Sequence, residues 1–188
     1  MTTLPRRTAL ARTAACSMFA AAALLAGCAG PGSAKAPTAT AQLKPTRGSE
    51  TAGTVSFTQD GSKVNVRVQV SGLAPGQEHG FHVHEKGDCS SPEAMSAGGH
   101  FNPGGQPHGP QEAAHHGGDM PSLKADAAGN AQGTFQLDNL TIGGGAPNDI
   151  VGKGVIVHAK PDDYKTQPTG NSGGRIACGV IGATTAAR

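Results

Sequence analysis

The sequence predicts an all-β domain, built as an antiparallel sandwich or barrel of about eight short strands. Residues 64–70 alternate valine with polar residues, which is the period of a strand buried on one face. Glycine and proline, 29 and 13 of the 188 residues, interrupt the chain at the short intervals typical of turns. Beyond the first 27 residues, no stretch repeats apolar residues with a helical period. Short strands joined by Gly-rich connections form sandwiches or barrels.

The first 27 residues have the pattern of an export signal. A basic end with three arginines and no acid precedes a run rich in alanine and leucine. The run is too short to be a convincing transmembrane helix. Leu25-Ala26-Gly27-Cys28 resembles a bacterial lipobox, whose cysteine becomes the lipidated first residue of the mature protein. The sequence therefore predicts a lipoprotein signal over residues 1–27 and a lipid on Cys28. A plain signal cleaved elsewhere is the alternative, and the Arg6-Arg7 pair leaves twin-arginine and general export both open.

The mature chain is predicted to be one exported domain on a short tether. Residues 28–38 are small and contain proline and glycine, as a tether does, and residues 39–188 have the length of one domain. The whole chain has 15 basic and 13 acidic residues; three of the basic ones leave with the signal, so the mature net charge is −1. With no basic tract and few aromatic residues, nucleic acid is excluded as a partner. We expect the protein in the periplasm or cell envelope, touching the membrane only through its lipid.

Eight segments of the mature chain are predicted to be strands. In chain order they are residues 41–44, 54–58, 64–70, the stretch around His82, 123–125, 134–137, 154–158 and 175–181. Asp60-Gly61 is a favoured hairpin turn and joins the second strand to the third. Two connections, about 86–122 and 159–174, are too long for hairpin loops. Long loops inside a compact domain are usually functional or disordered.

The histidines are concentrated around the first of these loops. Seven of the eight fall between His79 and His116. Since alternate residues of a strand point to one face, His82 and His84 should project together while Val83 faces the core. The eighth, His158, ends another predicted strand. These three imidazoles offer the nitrogen ligands that copper(II) favours, and a fourth ligand must come from nearby.

A second group of possible ligands lies within the loop itself: His100, His108, His116 and Asp119. Three imidazoles and one carboxylate suit the closed, four-coordinate sites in which zinc is held. An imidazole has two ring nitrogens, so one deprotonated histidine can bridge two metals. The loop is poor in apolar residues, and we interpret it as a segment folded around metal.

Two cysteines remain after the leader is set aside. Cys16 lies in the signal and Cys28 is the predicted lipid site, which leaves Cys89 and Cys178. Disulfides persist in exported proteins, so this pair either forms a disulfide or supplies two buried free thiols.

Four motifs of the chain resemble those of bacterial copper–zinc superoxide dismutases. They are Gly80-Phe81-His82-Val83-His84, Gly98-Gly99-His100-Phe101-Asn102-Pro103, His116-Gly117-Gly118-Asp119, and Gly173-Gly174-Arg175-Ile176-Ala177-Cys178-Gly179-Val180-Ile181. The resemblance covers nearly the whole mature domain. It implies a Greek-key β-sandwich or flattened barrel and an oxidoreductase that converts superoxide to O₂ and H₂O₂.

The same resemblance implies one copper and one zinc ion per subunit. The implied copper ligands are His82, His84, His100 and His158. The implied zinc ligands are His100, His108, His116 and Asp119. His100 would thus bridge the two metals and serve as a local proton source, Arg175 would guide the anion, and Cys89–Cys178 would be the family disulfide.

Other positions carry weaker implications. Asp162 matches a carboxylate that orients one copper and one zinc histidine, although Asp163 is its immediate neighbour, and Thr169 matches a position in the channel wall. His79 and His115 match no ligand position, and we expect both to be exposed. The sequence is compatible with a monomer or a homodimer.

Two other functions remain open. One is a non-enzymatic exported protein that binds copper or zinc on the same fold, and the other is a structural lipoprotein whose loop is held by zinc. The second leaves the histidines of the strands unexplained.

Overall fold

The computed structural model describes residues 35–184, and nearly all of their regular structure is β-strand. The strands are β1 (Thr38–Pro45), β2 (Ala52–Asp60), β3 (Lys63–Ser71), β4 (Glu78–His79), β5 (Phe81–His84), β6 (Leu123–Lys124), β7 (Ala131–Asp138), β8 (Gly154–His158), β9 (Arg175–Val180) and β10 (Gly182–Ala183). One short 3-10 turn covers Met95–Ala97. All eight predicted strands are present. The two-residue strands β4 and β10 are additional.

The strands form one curled antiparallel sheet and a two-stranded ribbon. The sheet has the order β5-β8-β9-β1-β2-β3-β7, with β10 beside β1, and β4 pairs with β6. Consecutive hairpins make β1-β2-β3, and β9 returns from much later in the chain to pair with β1, so these four strands have the order β9-β1-β2-β3. Such a return is that of a Greek key. The predicted all-β, antiparallel fold class is confirmed.

Strand β1 joins the two halves of the sheet. Its residues Thr38–Leu43 pair with β2, and Lys44 and Pro45 then pair with β9. Because one strand serves both halves, the sheet curls and encloses an apolar core. The alternating valines of β3 all face this core and are at most 4% exposed. Burying each such side chain contributes about 1.5–3 kcal/mol.

The two predicted long loops occupy residues 85–122, between β5 and β6, and 159–174, between β8 and β9. Backbone hydrogen bonds attach the first loop to β5: Val83 N–H donates to Gly118 O, and Phe101 N–H donates to Val83 O, both at 2.8 Å. A side chain at Gly118 would collide with the Val83 carbonyl, so glycine allows this close approach. These bonds explain how a loop with few apolar residues is held in one conformation.

A third long connection, residues 139–153, was not predicted. The Asp149 carboxylate closes it by accepting from the backbone N–H groups of Gly143, Gly145 and Val151 at 2.9–3.0 Å. The run of glycines there predicted only a turn.

Cys89 and Cys178 form a disulfide with Cα atoms 5.8 Å apart. The prediction of a disulfide is confirmed, and the alternative of two free thiols is wrong. The bond joins the first long loop to β9, and both cysteines pack against Ala94, Ala97 and Ile156.

Reduction of this disulfide should destabilise the domain and loosen the first long loop. The bond spans 89 residues, worth roughly 4–5 kcal/mol in the chain-entropy model. We expect the melting temperature to fall on the order of 10 °C and zinc to dissociate faster, measured by calorimetry and a zinc-sensitive dye. If both cysteines of freshly isolated, unreduced protein titrate as free thiols, this prediction is wrong.

The signal at 1–27, Cys28 and most of the tether lie outside the described residues. Strand β1 begins at Thr38, one residue before the predicted start of the domain. Within residues 35–184, no helix is long and apolar enough to cross a membrane.

Candidate metal centre

Strands β5 and β8 place three histidines side by side. β5 pairs with β8 so that His82 lies opposite Ile156 and His84 opposite Gly154. His82 and His84 are fully buried and face the long loops, and Val83 is buried on the opposite side, as predicted. His158 ends β8, where the pairing with β9 shifts register between Val157 and His158.

The rings of His84 and His158 direct unprotonated nitrogens toward each other. His84 Nδ1 donates to Gly98 O at 2.9 Å, and His158 Nδ1 donates to Gly173 O at 3.3 Å. A neutral imidazole carries one proton, so Nε2 of each ring keeps a lone pair. These two Nε2 atoms lie 3.4 Å apart. Two lone pairs at this distance repel unless a cation lies between them.

The first long loop brings a second set of donors together around Asp119. Its Oδ2 accepts from the backbone N–H groups of Gly109 at 3.1 Å and His116 at 2.9 Å. Its Oδ1 lies 2.8 Å from His100 Nδ1 and 3.4 Å from His116 Nδ1. His108 Nδ1 lies 2.9 Å from Oδ2. The carboxylate is thereby fixed in front of three imidazoles.

The four-histidine set and the loop set share His100. The first set is His82, His84, His100 and His158; the second is His100, His108, His116 and Asp119, and within each set one ligand atom of every residue lies within 4.8 Å of the others. The Nδ1 atom of His100 faces Asp119, while its Nε2 is buried with no hydrogen-bond partner. One ring therefore offers a nitrogen to each set.

Asp162 accepts a hydrogen bond from one histidine of each set. Its Oδ2 accepts from His82 Nε2 at 2.6 Å, and its Oδ1 accepts from His108 Nε2 at 2.9 Å. The Nδ1 atom of His82 is thus left without a proton and is buried with no hydrogen-bond partner, whereas the Nδ1 atom of His108 faces Asp119 Oδ2. Gly170 packs so closely against Asp162 and His108 that any side chain there would collide with both. Asp163 is exposed and instead caps its own turn through Lys165 and Thr166.

Burial keeps three histidines neutral: His82, His84 and His158. It lowers the pKa of His82 to about 4 and that of His158 to about 3, and it holds the pKa of His84 well below its usual value. At neutral pH these rings present lone pairs rather than protons.

The loop set has a different charge balance. Burial alone would lower the pKa of His108, but the carboxylates on its two ring nitrogens raise it to about 9. The pKa of the Asp119 carboxyl is held well below its usual range, since hydrogen bonds to His100 and His108 outweigh the effect of its burial. The loop set therefore favours a positive charge between Asp119 and its imidazoles, whether a proton or a metal ion.

A cavity of about 350 Å³ leads from the surface to the first set. His84, His158 and Arg175 line it, together with Thr169 as predicted. The Arg175 guanidinium is half-buried and donates to Ala94 O and to Gly98 O, each at 2.6 Å. Burial lowers its pKa, but an arginine remains charged at neutral pH. A fixed positive charge therefore faces a small, open cavity.

The expectation that His79 is exposed is wrong. It is 2% exposed, because its own strand β4 pairs with β6, which places Leu123 opposite His79. Its Nδ1 donates to His158 O at 2.8 Å, so the ring supports the end of β8. His115 is partly exposed, with Nδ1 donating to its neighbour Ala113 O. Neither histidine belongs to either donor set.

Two residues near the centre were missed by sequence reasoning. Gln167 hydrogen-bonds both backbone groups of His108, and the Tyr164 hydroxyl accepts from Ser122 N–H at 2.8 Å. Tyr164 is the only tyrosine of the chain and follows Asp162 by two residues, which is a weak signal. Nothing in the pattern around Gln167 marks it.

The family model for copper/zinc superoxide dismutase (SODC) matches residues 51–181, more than half of the chain. The chain belongs to the copper/zinc superoxide dismutase family. Membership confirms the predicted family, activity, enzyme class and pair of metals.

Curated relatives and solved structures agree with this membership. Superoxide dismutase [Cu-Zn] 2 of Aquifex aeolicus is 40% identical over 145 residues, covering 75% of this chain and 84% of the relative. Superoxide dismutase [Cu-Zn] 2 of Brassica juncea is 46% identical over 138 residues, covering 69% and 88%. The crystal structure of a SOD-like protein from Bacillus subtilis superposes with a TM-score of 0.68 at 35% identity, covering 75% of this chain and 96% of that one.

Proposed function

We propose that this chain dismutes superoxide at one copper and one zinc ion per subunit, held by the two donor sets. Copper would be bound by His82, His84, His100 and His158, and zinc by His100, His108, His116 and Asp119. The observation that carries this assignment is the shared ring of His100, which offers one nitrogen to each set.

The donor atoms fit metal ions. Ligands about 2.0–2.1 Å from a tetrahedral ion lie roughly 3.3–3.4 Å from one another. The Nε2 atoms of His84 and His158 are 3.4 Å apart, as are the Nδ1 atoms of His100 and His116. Buried polar atoms normally have a hydrogen-bond partner. His82 Nδ1 and His100 Nε2 have none, which is explained if each binds a metal ion.

Bound copper supplies a one-electron redox couple, so two superoxide anions and two protons become one O₂ and one H₂O₂. The protein's own residues prepare for this reaction. Arg175 attracts the anion into the cavity, and His100 can hold a proton at Nε2, the nitrogen that faces the four-histidine set. Asp162 fixes the tautomers of His82 and His108.

Removing the shared ring should affect both metals. We expect His100→Ala to lower copper and zinc content together, because the ring offers a nitrogen to each set. His116→Ala should lower zinc alone, by about 10-fold or more in affinity. Metal content per chain after dialysis against a weak chelator measures both. If His100→Ala keeps its full copper while losing zinc, the shared-ring assignment is wrong.

We also propose that the enzyme is exported and anchored by a lipid on Cys28, in the periplasm or cell envelope. The basic and apolar leader and the lipobox-like Leu25-Ala26-Gly27-Cys28 support this. Stable anchoring takes more than one acyl chain, which a bacterial lipoprotein cysteine provides.

Substituting the lipid site should release the protein from the membrane. We expect Cys28→Ala to move the enzyme from the membrane fraction into the soluble fraction while its metal content is kept, measured by fractionation and metal analysis. The contradictory result is a wild-type protein that is wholly soluble and has a free N-terminus beyond Cys28.

A further inference from the structure

We propose that Met95 is a docking ligand for copper(I), which holds the incoming ion at the mouth of the cavity before it reaches His84 and His158. This inference rests on the proposed function, in which the four-histidine set is the copper site and is called the copper set from here on. It concerns how that set is filled rather than how it reacts.

Met95 lines the cavity that leads to the copper set. Its side chain is 62% exposed, and within residues 35–184 only Val180 is another large hydrophobic side chain that is exposed. A single exposed apolar residue is usually without meaning. Met95, however, lines the same cavity as His84 and His158, whose Nε2 atoms converge at its inner end.

The turn that carries Met95 is fixed to the copper set. Ala94, which begins the turn, has a positive φ of 54°, and Arg175 donates to its carbonyl. Gly98, which ends the turn, accepts from both Arg175 and His84 Nδ1. The thioether is therefore presented by a turn hydrogen-bonded at both ends, one of them shared with a copper-set histidine.

The chemistry of sulfur explains why copper(I) is the ion. Thioether and thiolate ligands select copper(I), whereas imidazole also accepts copper(II) and zinc. Among the described residues, Met120 is fully buried, and Cys89 and Cys178 are joined in the disulfide. Met95 is thus the accessible soft sulfur of this part of the chain, and it lines the cavity that also reaches His84 and His158.

The rate of copper uptake tests this role. Full-length protein loaded with zinc, free of copper and with its disulfide intact is mixed anaerobically with the copper(I) acetonitrile complex. Copper per chain is then followed over time. Met95→Leu keeps the size and removes the sulfur, so copper(I) uptake should slow about tenfold, equivalent to about 1.4 kcal/mol. Uptake of copper(II) sulfate should stay within about twofold, since a thioether binds that ion weakly.

Two controls define the outcome. Val180→Ala removes the other exposed apolar side chain, which does not line the cavity, and should load copper(I) like wild type. The final copper content of Met95→Leu should equal that of wild type. Equal copper(I) rates in wild type and Met95→Leu overturn the proposal, as does equal slowing with both ions, which indicates a distorted cavity. A wild type that takes up no copper would instead overturn the proposed function itself.

A separate set of contacts assigns Gln167 as a positioning residue for His108. Its Oε1 accepts from His108 N–H, and its Nε2 donates to His108 O, both at 2.8 Å. The two residues are 59 positions apart, so this pair of bonds joins the second long loop to the first. With Asp162 on its ring Nε2, His108 is held at backbone and ring, and Nδ1 is directed toward Asp119.

Replacing the Gln167 amide with a carboxylate should disturb the loop set, which is the proposed zinc site, without changing its ligands. Gln167→Glu loses the donor and sets a negative oxygen against His108 O. We expect zinc to dissociate about tenfold faster, the lower end of what groups that orient a ligand contribute. With cobalt(II) in place of zinc, the visible absorption bands should also shift, because they report ligand geometry.

The matched control is Gln106→Glu, which makes the same charge change on an exposed residue of the first loop that contacts no proposed ligand. It should keep the zinc dissociation rate and the cobalt spectrum of wild type. If Gln167→Glu and Gln106→Glu behave alike in both measurements, Gln167 does not position His108.

Discussion

Replacing His82 with alanine should abolish copper binding and activity while zinc is kept. His82 offers a buried Nδ1 to the copper set alone, and its other nitrogen is bound to Asp162. Changes to groups that merely orient a metal ligand cost about 10- to 100-fold, so loss of a ligand should lower the dismutation rate by at least about 100-fold. Metal analysis and the second-order rate with superoxide measure the two effects.

The matched control is His115→Ala. His115 lies in the same stretch of histidines but belongs to neither donor set, so this variant should keep copper, zinc and rate. A His82→Ala protein that retains its copper, or loses zinc to the same extent, would contradict the assignment of His82.

Reversing the charge of Arg175 should produce the second largest effect. For an anion about 6 Å from the guanidinium, Coulomb's law gives roughly 1–3 kcal/mol for effective dielectrics between those of water and a protein surface. Losing this attraction should slow the reaction roughly 5- to 100-fold. Arg175→Glu should be slower still, because attraction becomes repulsion, whereas Arg175→Lys should keep much of the rate.

Salt separates steering by charge from structural damage. Arg175 also holds the turn at Ala94 and Gly98, so its removal can disturb the cavity wall. Added salt screens the attraction of the anion and should lower the wild-type rate. The difference in rate between wild type and Arg175→Glu should therefore become smaller as salt is added. Second-order rates of the variants across ionic strength, with both metals bound, measure this. An Arg175→Glu protein as fast as wild type at low salt would show that Arg175 does not guide the substrate.

The strands were predictable because their burial follows a simple period. The alternation of Val64 to Val70 requires one buried face whatever the partner strands are, and the turn at Asp60-Gly61 fixes the neighbour. Strands β4 and β10 have two residues each, too few to show a period. His79 was misjudged for this reason, since its burial depends on β6, which lies 44 residues further along the chain.

The donor sets were predictable because metal ligation demands particular residue types. The strand period places His82 beside His84, and the family motifs imply the remaining ligands. The choice between Asp162 and Asp163 needed coordinates, because the chain turns between them: one carboxylate faces inward and the other caps the turn. Gln167 could not be found from sequence, since an amide that bonds to backbone needs no partner of a given type.

The most direct test of copper-dependent superoxide dismutation at two shared metal sites is metal content measured together with activity on one sample. Purified full-length protein should hold about one copper and one zinc per chain, as two four-ligand sets imply. A chelator that removes copper should abolish dismutation, and added copper should restore it. Full activity in a protein that contains no copper would contradict this account.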